Sequence, residues 1–169
     1  KLWNASNFVF MNLKDYKGKK PAKIEKIDEL FLNKLNDLVK SCTDANSLYE
    51  YARAKLETEK FFWSMFCDNY LEIVKKRVYS GNQGFPDSSN PKKHQEFEDE
   101  NKKRNKESAQ YTLYTGLLTL LKLIAPIMPF ITEEIYQQYF KNTEKDKSIH
   151  ISKWPEVGKD NKSKENNMF

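Results

Sequence analysis

The densest run of chemically useful side chains lies between residues 14 and 26, where Lys14, Lys17, Lys19, Lys20, Lys23 and Lys26 face only Asp15 and Glu25. Such a local positive excess suits phosphate oxygens, because an ammonium group acts as a point charge and does not read a base edge the way a guanidinium fork does. The chain holds 26 lysines and only three arginines, Arg53, Arg77 and Arg104, so any nucleic-acid contact here leans on phosphates. A second cluster, Lys75-Lys76-Arg77, ends a long helical pattern. Lysines at such a place also complement a helix dipole. Stacking on exposed rings supplies the other half of a single-stranded RNA site. Of the 23 aromatic residues most fill seams between helices, and Phe8 and Tyr16, beside the cationic run, are the stacking candidates.

Other chemistry is thinly represented. Cys67 has Asp68 beside it, but neighbours on a helix point about 100° apart and couple poorly. The pairs Glu133-Glu134 and Glu96/Glu98 read as solvated carboxylates, and His94 and His150 lie far apart with no evident partner. Two cysteines, Cys42 and Cys67, with two histidines are too few for a structural zinc site or a disulfide framework. The five glycines are scattered and none forms a phosphate-cradling loop. The expectation is therefore a chain with no active site, no metal and no cofactor of its own.

The elements that must position the cationic run are helical. A first helix covers Lys1 to about Leu13. Ile27, Phe31, Leu35, Leu38 and Cys42 form one apolar stripe on a helix from about Ala22 to Ser41. Ser47 and Glu50 have capping-box spacing, which starts the next helix at Ser47 and carries it through Leu56, Phe62, Phe66, Tyr70 and Ile73 to about Tyr79. Residues 80–107 combine the turn-rich SGNQGFPDSSN with a mixed-charge stretch and read as a long exposed polar loop. Helical pattern resumes near Ser108 and stops before Pro126, and Pro129 opens a helix ending at Phe140. Ser148–Ser152 alternates like a short strand, and residues 158–169 read as a disordered tail. Each helix has one apolar stripe to hide, so the predicted fold is all-α: an antiparallel helical bundle over residues 1–157 with a short C-terminal extension. In that topology the end of the first helix and the end of the third share a pole, which brings both cationic clusters together.

At 169 residues the chain suffices for one domain with a real core, and 31% charged residues, a net charge of +5 and a mean hydropathy of -0.83 place it in water. The longest apolar run, Leu117–Ile131, is interrupted by Lys122, Pro126 and Pro129 and is too short to span a membrane. With no secretory signal, the expected setting is a reducing cytoplasm, with free, buried thiols. The uncapped start without an initiator methionine reads as a piece of something larger.

Four blocks, KLWNASNFV (1–9), FFWSMFCDNYLEIVKKRVY (61–79), LLKLIAPIMPFITEEIYQ (120–137) and ISKWPE (151–156), resemble in order and spacing the helical domain that follows the catalytic core in valyl-tRNA synthetases, a class Ia family. The resemblance covers about residues 1–157. PIMPFITEEIY is shared with the isoleucyl and leucyl relatives, and KLWNAS with FCDNYLE points to valine. The resemblance implies a domain that grips the anticodon stem-loop of tRNA, while a separate catalytic domain of the same parent chain, absent here, activates valine with ATP. Carried onto this sequence, the RNA-binding candidates are Asn7 and Phe8, supported on charge by Lys19, Lys20, Lys23 and Arg77. The family commonly has arginine at the position of Asn7; asparagine can read a base edge but brings no charge. Trp3, Asn4, Trp63, Asp68 and Tyr70 read as architectural. Two alternatives stand beside this one: the anticodon domain of an isoleucyl-tRNA synthetase, and a helical protein-interaction module indifferent to RNA.

Overall fold

The computed structural model describes residues 1–79 and 94–157; the expected tail 158–169 and the first part of the expected loop, 80–93, lie outside the described residues. The helices are α1 (Leu2–Met11), α2 (Lys26–Ser47), α3 (Tyr51–Lys60), a π-helical stretch (Phe61–Tyr70), α4 (Leu71–Tyr79), α5 (His94–Ile124) and α6 (Pro129–Tyr139), followed by a 3-10 turn at Ile149–Ile151. Among the described residues there is no strand, and the all-α expectation holds. The described helices include none long and apolar enough to cross a membrane.

Direction along the bundle follows from which ends meet. Asn12 after α1, Glu25 and Asp28 at the start of α2, Arg77 at the end of α4 and residues 105–110 of α5 join at one pole through hydrogen bonds. Lys1 and Leu2, Thr58 and Glu59 of α3, Leu120 and Ile124 of α5 and Met128 line one groove at the other pole. Successive long helices therefore alternate in direction, with α5 central and packed against α1, α2, α3, α4 and α6. Its buried Leu113, Leu117, Leu120 and Leu121 meet Phe66, Ile135, Tyr136 and Phe140 in one core. Gly116 marks a close approach: a Cβ there would lie 3.0 Å from Phe31 Cε1 and 3.5 Å from the Phe66 ring. Phe31 is itself wedged against Phe61, Phe66 and Tyr70 and cannot retreat. Gly116→Val should therefore cost about 1–3 kcal/mol by overpacking, read as a lower urea midpoint at unchanged m.

The long third helix is not uniform. Ala54, Thr58, Phe62, Phe66, Tyr70, Val74 and Val78 are all buried, at strict steps of four residues. At 3.6 residues per turn such a stripe would drift by about 40° per step and about 240° over its length, wrapping most of the way round the helix. The wider i→i+5 turns at Phe61–Tyr70 take up that drift and keep the stripe on the core. Leu56 and Ile73, expected on the apolar face, are consequently exposed.

Three boundaries differ from expectation. Ser47 does not cap α3; it ends α2, its hydroxyl donating to the Thr43 carbonyl. Glu50 N–H bonds to Ala45 O and Tyr49 N–H to Asn46 O, the paired bonds of a Schellman end, with Tyr49 at φ 61° where glycine is usual. Residues 94–107, expected as loop, are the first turns of α5. Their Lys, Glu, Gln and Arg are good helix formers, and a helix that projects past the core needs no apolar stripe. The strand-like alternation at Ser148–Ser152 is a 3-10 turn closed by Ile151 N–H to Ser148 O, which buries Ile149 and leaves Ile151 out. The extension after it returns to α2, where Trp154 Nε1 donates to Thr43 Oγ1.

Candidate nucleic-acid interface

The cationic pole is built on a buried carboxylate. Asp28, in the first turn of α2, is 0% exposed. Its Oδ1 accepts from Tyr70 OH (2.7 Å) and Arg77 Nη1 (2.8 Å), and its Oδ2 from Arg77 Nη2 (2.7 Å) and Ser108 Oγ (2.5 Å). Arg77 Nη2 also donates to the Asn105 carbonyl at 2.8 Å, and the Glu25 amide donates to Ser108 Oγ. One carboxylate thus ties together α2, the π-helical stretch, α4 and α5. Burial by itself would lower the Arg77 pKa, but the hydrogen bonds and charge of Asp28 outweigh it and hold it above its ordinary value.

Above this network lies a cleft of about 490 Å³ between the 12–25 linker and α5, lined among others by Lys17, Lys19, Lys20, Lys103 and Lys106, with Asp15 and Glu107 the acidic members. Five lysines against two carboxylates leave it cationic. Tyr16 also lines it, its ring 5.4 Å from that of Tyr114 and its hydroxyl donating to Lys19 O. Burial pushes the Tyr16 pKa up to about 12, so the phenol stays neutral. Gln110 Nε2 donates to Asn12 O and Asp15, and Lys106 to Asp15, fastening the linker to α5.

The expected site residues divide among three places. Lys19 and Lys20 line the cleft; Lys23 is exposed on the same linker but is not part of the lining. Arg77 is not part of the cleft lining; its guanidinium is held by Asp28, with 18% of the side chain exposed. Phe8 is half-buried on α1, with Lys75 Nζ 5.8 Å from its ring centroid. Asn7 points to α6: its Oδ1 accepts from Tyr139 OH at 2.7 Å, while Phe10 stacks on Tyr139 at 3.7 Å. Lys103 and Lys106 were missed in the sequence because they stood in the segment read as loop. Of the residues read as architectural, Tyr70 is buried on Asp28 as expected, whereas Asn4, Trp63 and Asp68 are exposed.

Neither cysteine is poised as a nucleophile. Burial, with Asp68 adding to it, pushes the Cys67 thiol up to about 11, and burial raises Cys42 as well. Neither is a thiolate at neutral pH. Among the described residues no group of three or more His, Cys, Asp or Glu could hold a metal ion.

Residues 28–168 match the sequence family described as the anticodon-binding domain of tRNA ligase. The chain is 44% identical over 163 residues to the valine–tRNA ligase of Rickettsia felis, an alignment covering 89% of this chain and 16% of that protein. It is 45% identical over 170 residues to that of Rickettsia typhi, covering 94% and 18%. With the enzyme of Rickettsia prowazekii it shares 44% over 162 residues, covering 89% and 17%. The chain spans about a sixth of the length of these curated relatives. A helical bundle with a cationic cleft at one pole, matched over most of its length, belongs to the anticodon-binding domain family of tRNA ligases.

Proposed function

We propose that this domain binds the anticodon stem-loop of a valine tRNA on behalf of a valine–tRNA ligase, the cationic cleft taking the loop backbone. The observation that carries the reading is the meeting of Lys17, Lys19 and Lys20 from the linker with Lys103 from α5 in one cleft. Two walls of ammonium groups facing each other fit a phosphate backbone that passes between them. Tyr16 in the cleft and Phe8 on α1 are the rings assigned to stacking, and Asn7 is the side chain assigned to a base edge. ATP and valine belong to the catalytic domain of the parent ligase, which works in the cytoplasm; this domain contributes tRNA recognition alone. The opposite pole, where Trp63 and Met128 border an apolar groove of about 340 Å³ and Phe130 is 90% exposed, is the end assigned to contact with that catalytic domain.

The test is discrimination between anticodons. The isolated domain, titrated with valine and isoleucine anticodon stem-loops that share one stem, should prefer the valine loop by about tenfold or more, the worth of one good base contact. Preference for the isoleucine loop would move the assignment to the isoleucyl enzyme. Capture of protein partners that survives nuclease, with no RNA affinity, would replace it by a protein-interaction module.

A further inference from the structure

We propose that Lys106 and Gln110 form a phosphodiester-binding subsite within the cleft, and that Asp15 fills this subsite in the RNA-free protein as an internal stand-in for the phosphate. The proposal rests on the reading that the cleft binds RNA. Lys106 and Gln110 are one helical turn apart on α5, so their side chains emerge on one face. Lys106 Nζ lies 2.6 Å from Asp15 Oδ2, and Gln110 Nε2 lies 2.6 Å from Asp15 Oδ1. Two donors therefore converge on the two oxygens of a single anion. Gln110 is 3% exposed, and its amide is already aimed, because the same Nε2 bonds Asn12 O at 2.8 Å.

The carboxylate sits on the solvent side of its donors, its side chain 61% exposed against 30% for Lys106. That is the side from which an incoming phosphate reaches them. The hydrogen bond from Lys106 holds the Asp15 carboxyl below the usual carboxylate range; burial opposes it, and the hydrogen bond from Gln110 adds to the lowering. It stays an anion at any pH used for RNA work. Asp15 also lies between α1 and α2, outside both helices, so it can leave without unwinding either. Lys17, Lys19, Lys20 and Lys103 around it set the field that draws the backbone in. A carboxylate and a phosphodiester present the same pair of charged oxygens to such donors. RNA must therefore displace Asp15 to gain this contact, and Asp15 lowers the affinity of the whole cleft.

The experiment compares wild type, Asp15→Asn and Asp15→Ser for binding an anticodon stem-loop between about 50 and about 200 mM salt, with thermal melting to establish that each is folded. Both variants should bind several-fold more tightly, with a salt slope steeper by about 0.7–0.9, the signature of one further phosphate contact. Lys106→Gln should erase that gain in the Asp15→Asn background and have a smaller effect in the wild type. Affinity unchanged or weakened in both Asp15 variants would overturn the proposal and make Asp15 a clamp that presents Lys106. Stabilisation of Asp15→Asn by inorganic phosphate with no gain in RNA affinity would make the pair a free-anion site and also overturn it. Absence of salt-dependent binding by wild type would instead remove the functional reading on which the proposal stands.

Discussion

Asp28→Ala is expected to destabilise the domain by about 3–5 kcal/mol, the cost of removing one partner of a buried ion pair and leaving the other uncompensated. The four hydrogen bonds that meet on Asp28 would be lost together, and the Arg77 guanidinium would keep only the Asn105 carbonyl and the field of Glu25 in place of a paired carboxylate. Against a typical total of about 5–15 kcal/mol the loss is large enough to populate the unfolded state at ordinary temperatures. Urea unfolding followed by far-ultraviolet circular dichroism reads it directly as a midpoint shift at constant m. A cost below about 1 kcal/mol would mean that the pole is held by packing and that the network is incidental. Arg77→Met combined with Asp28→Leu should recover much of the loss, because apolar side chains of similar volume avoid the desolvation penalty of both charges. The same network fixes Asn105 through its carbonyl, so damage to it should be felt first in the part of α5 that carries Lys103 and Lys106.

The second large effect concerns binding. Changing Lys17, Lys19 and Lys20 together to glutamine should weaken stem-loop binding roughly 100-fold at low salt, taking about 1 kcal/mol for each exposed ionic contact. The three are exposed, so stability should stay within about 0.5 kcal/mol of wild type. The informative control is Lys14, Lys23 and Lys26, also exposed and identical in charge, which do not line the cleft. If their replacement by glutamine weakens binding just as much, the domain is responding to net charge, and the cleft has no special part. A loss at least tenfold greater for the cleft set is the expected result.

The bundle was legible because its apolar residues recur at helical spacing and because Pro129 and the Ala125-Pro126 step mark helix ends by their backbone chemistry. The cationic linker was legible for a simpler reason, being contiguous in sequence. The residues misjudged are those whose role depends on something distant. Arg77 looked like an RNA contact because it follows Lys75 and Lys76 in one cationic cluster, while Asp28, its partner, lies 49 positions away. Ile27 was placed on the apolar stripe of α2, yet it is 38% exposed and the buried position beside it is Asp28. The wide turns of the third helix had a signal that an α-helical reading passed over: a four-residue step repeated from Ala54 to Val78 has no straight α-helical solution. Ser47 and Glu50 satisfied the spacing of an N-cap while serving a C-terminal end, since nothing in a tyrosine announces that its backbone will adopt a positive φ. Lys103 and Lys106 were hidden by the reasoning that a stretch without apolar residues is loop, which fails where a helix projects beyond the core.

The most direct test of a cationic cleft that grips an RNA backbone is the dependence of stem-loop affinity on salt. Plotting log K against log salt for the wild-type domain should give a slope of about -3, as expected if Lys17, Lys19, Lys20 and Lys103 each meet a phosphate. Replacing the three linker lysines should reduce that slope by about two units or more. A slope near zero, or one that the replacement leaves unchanged, would contradict the account.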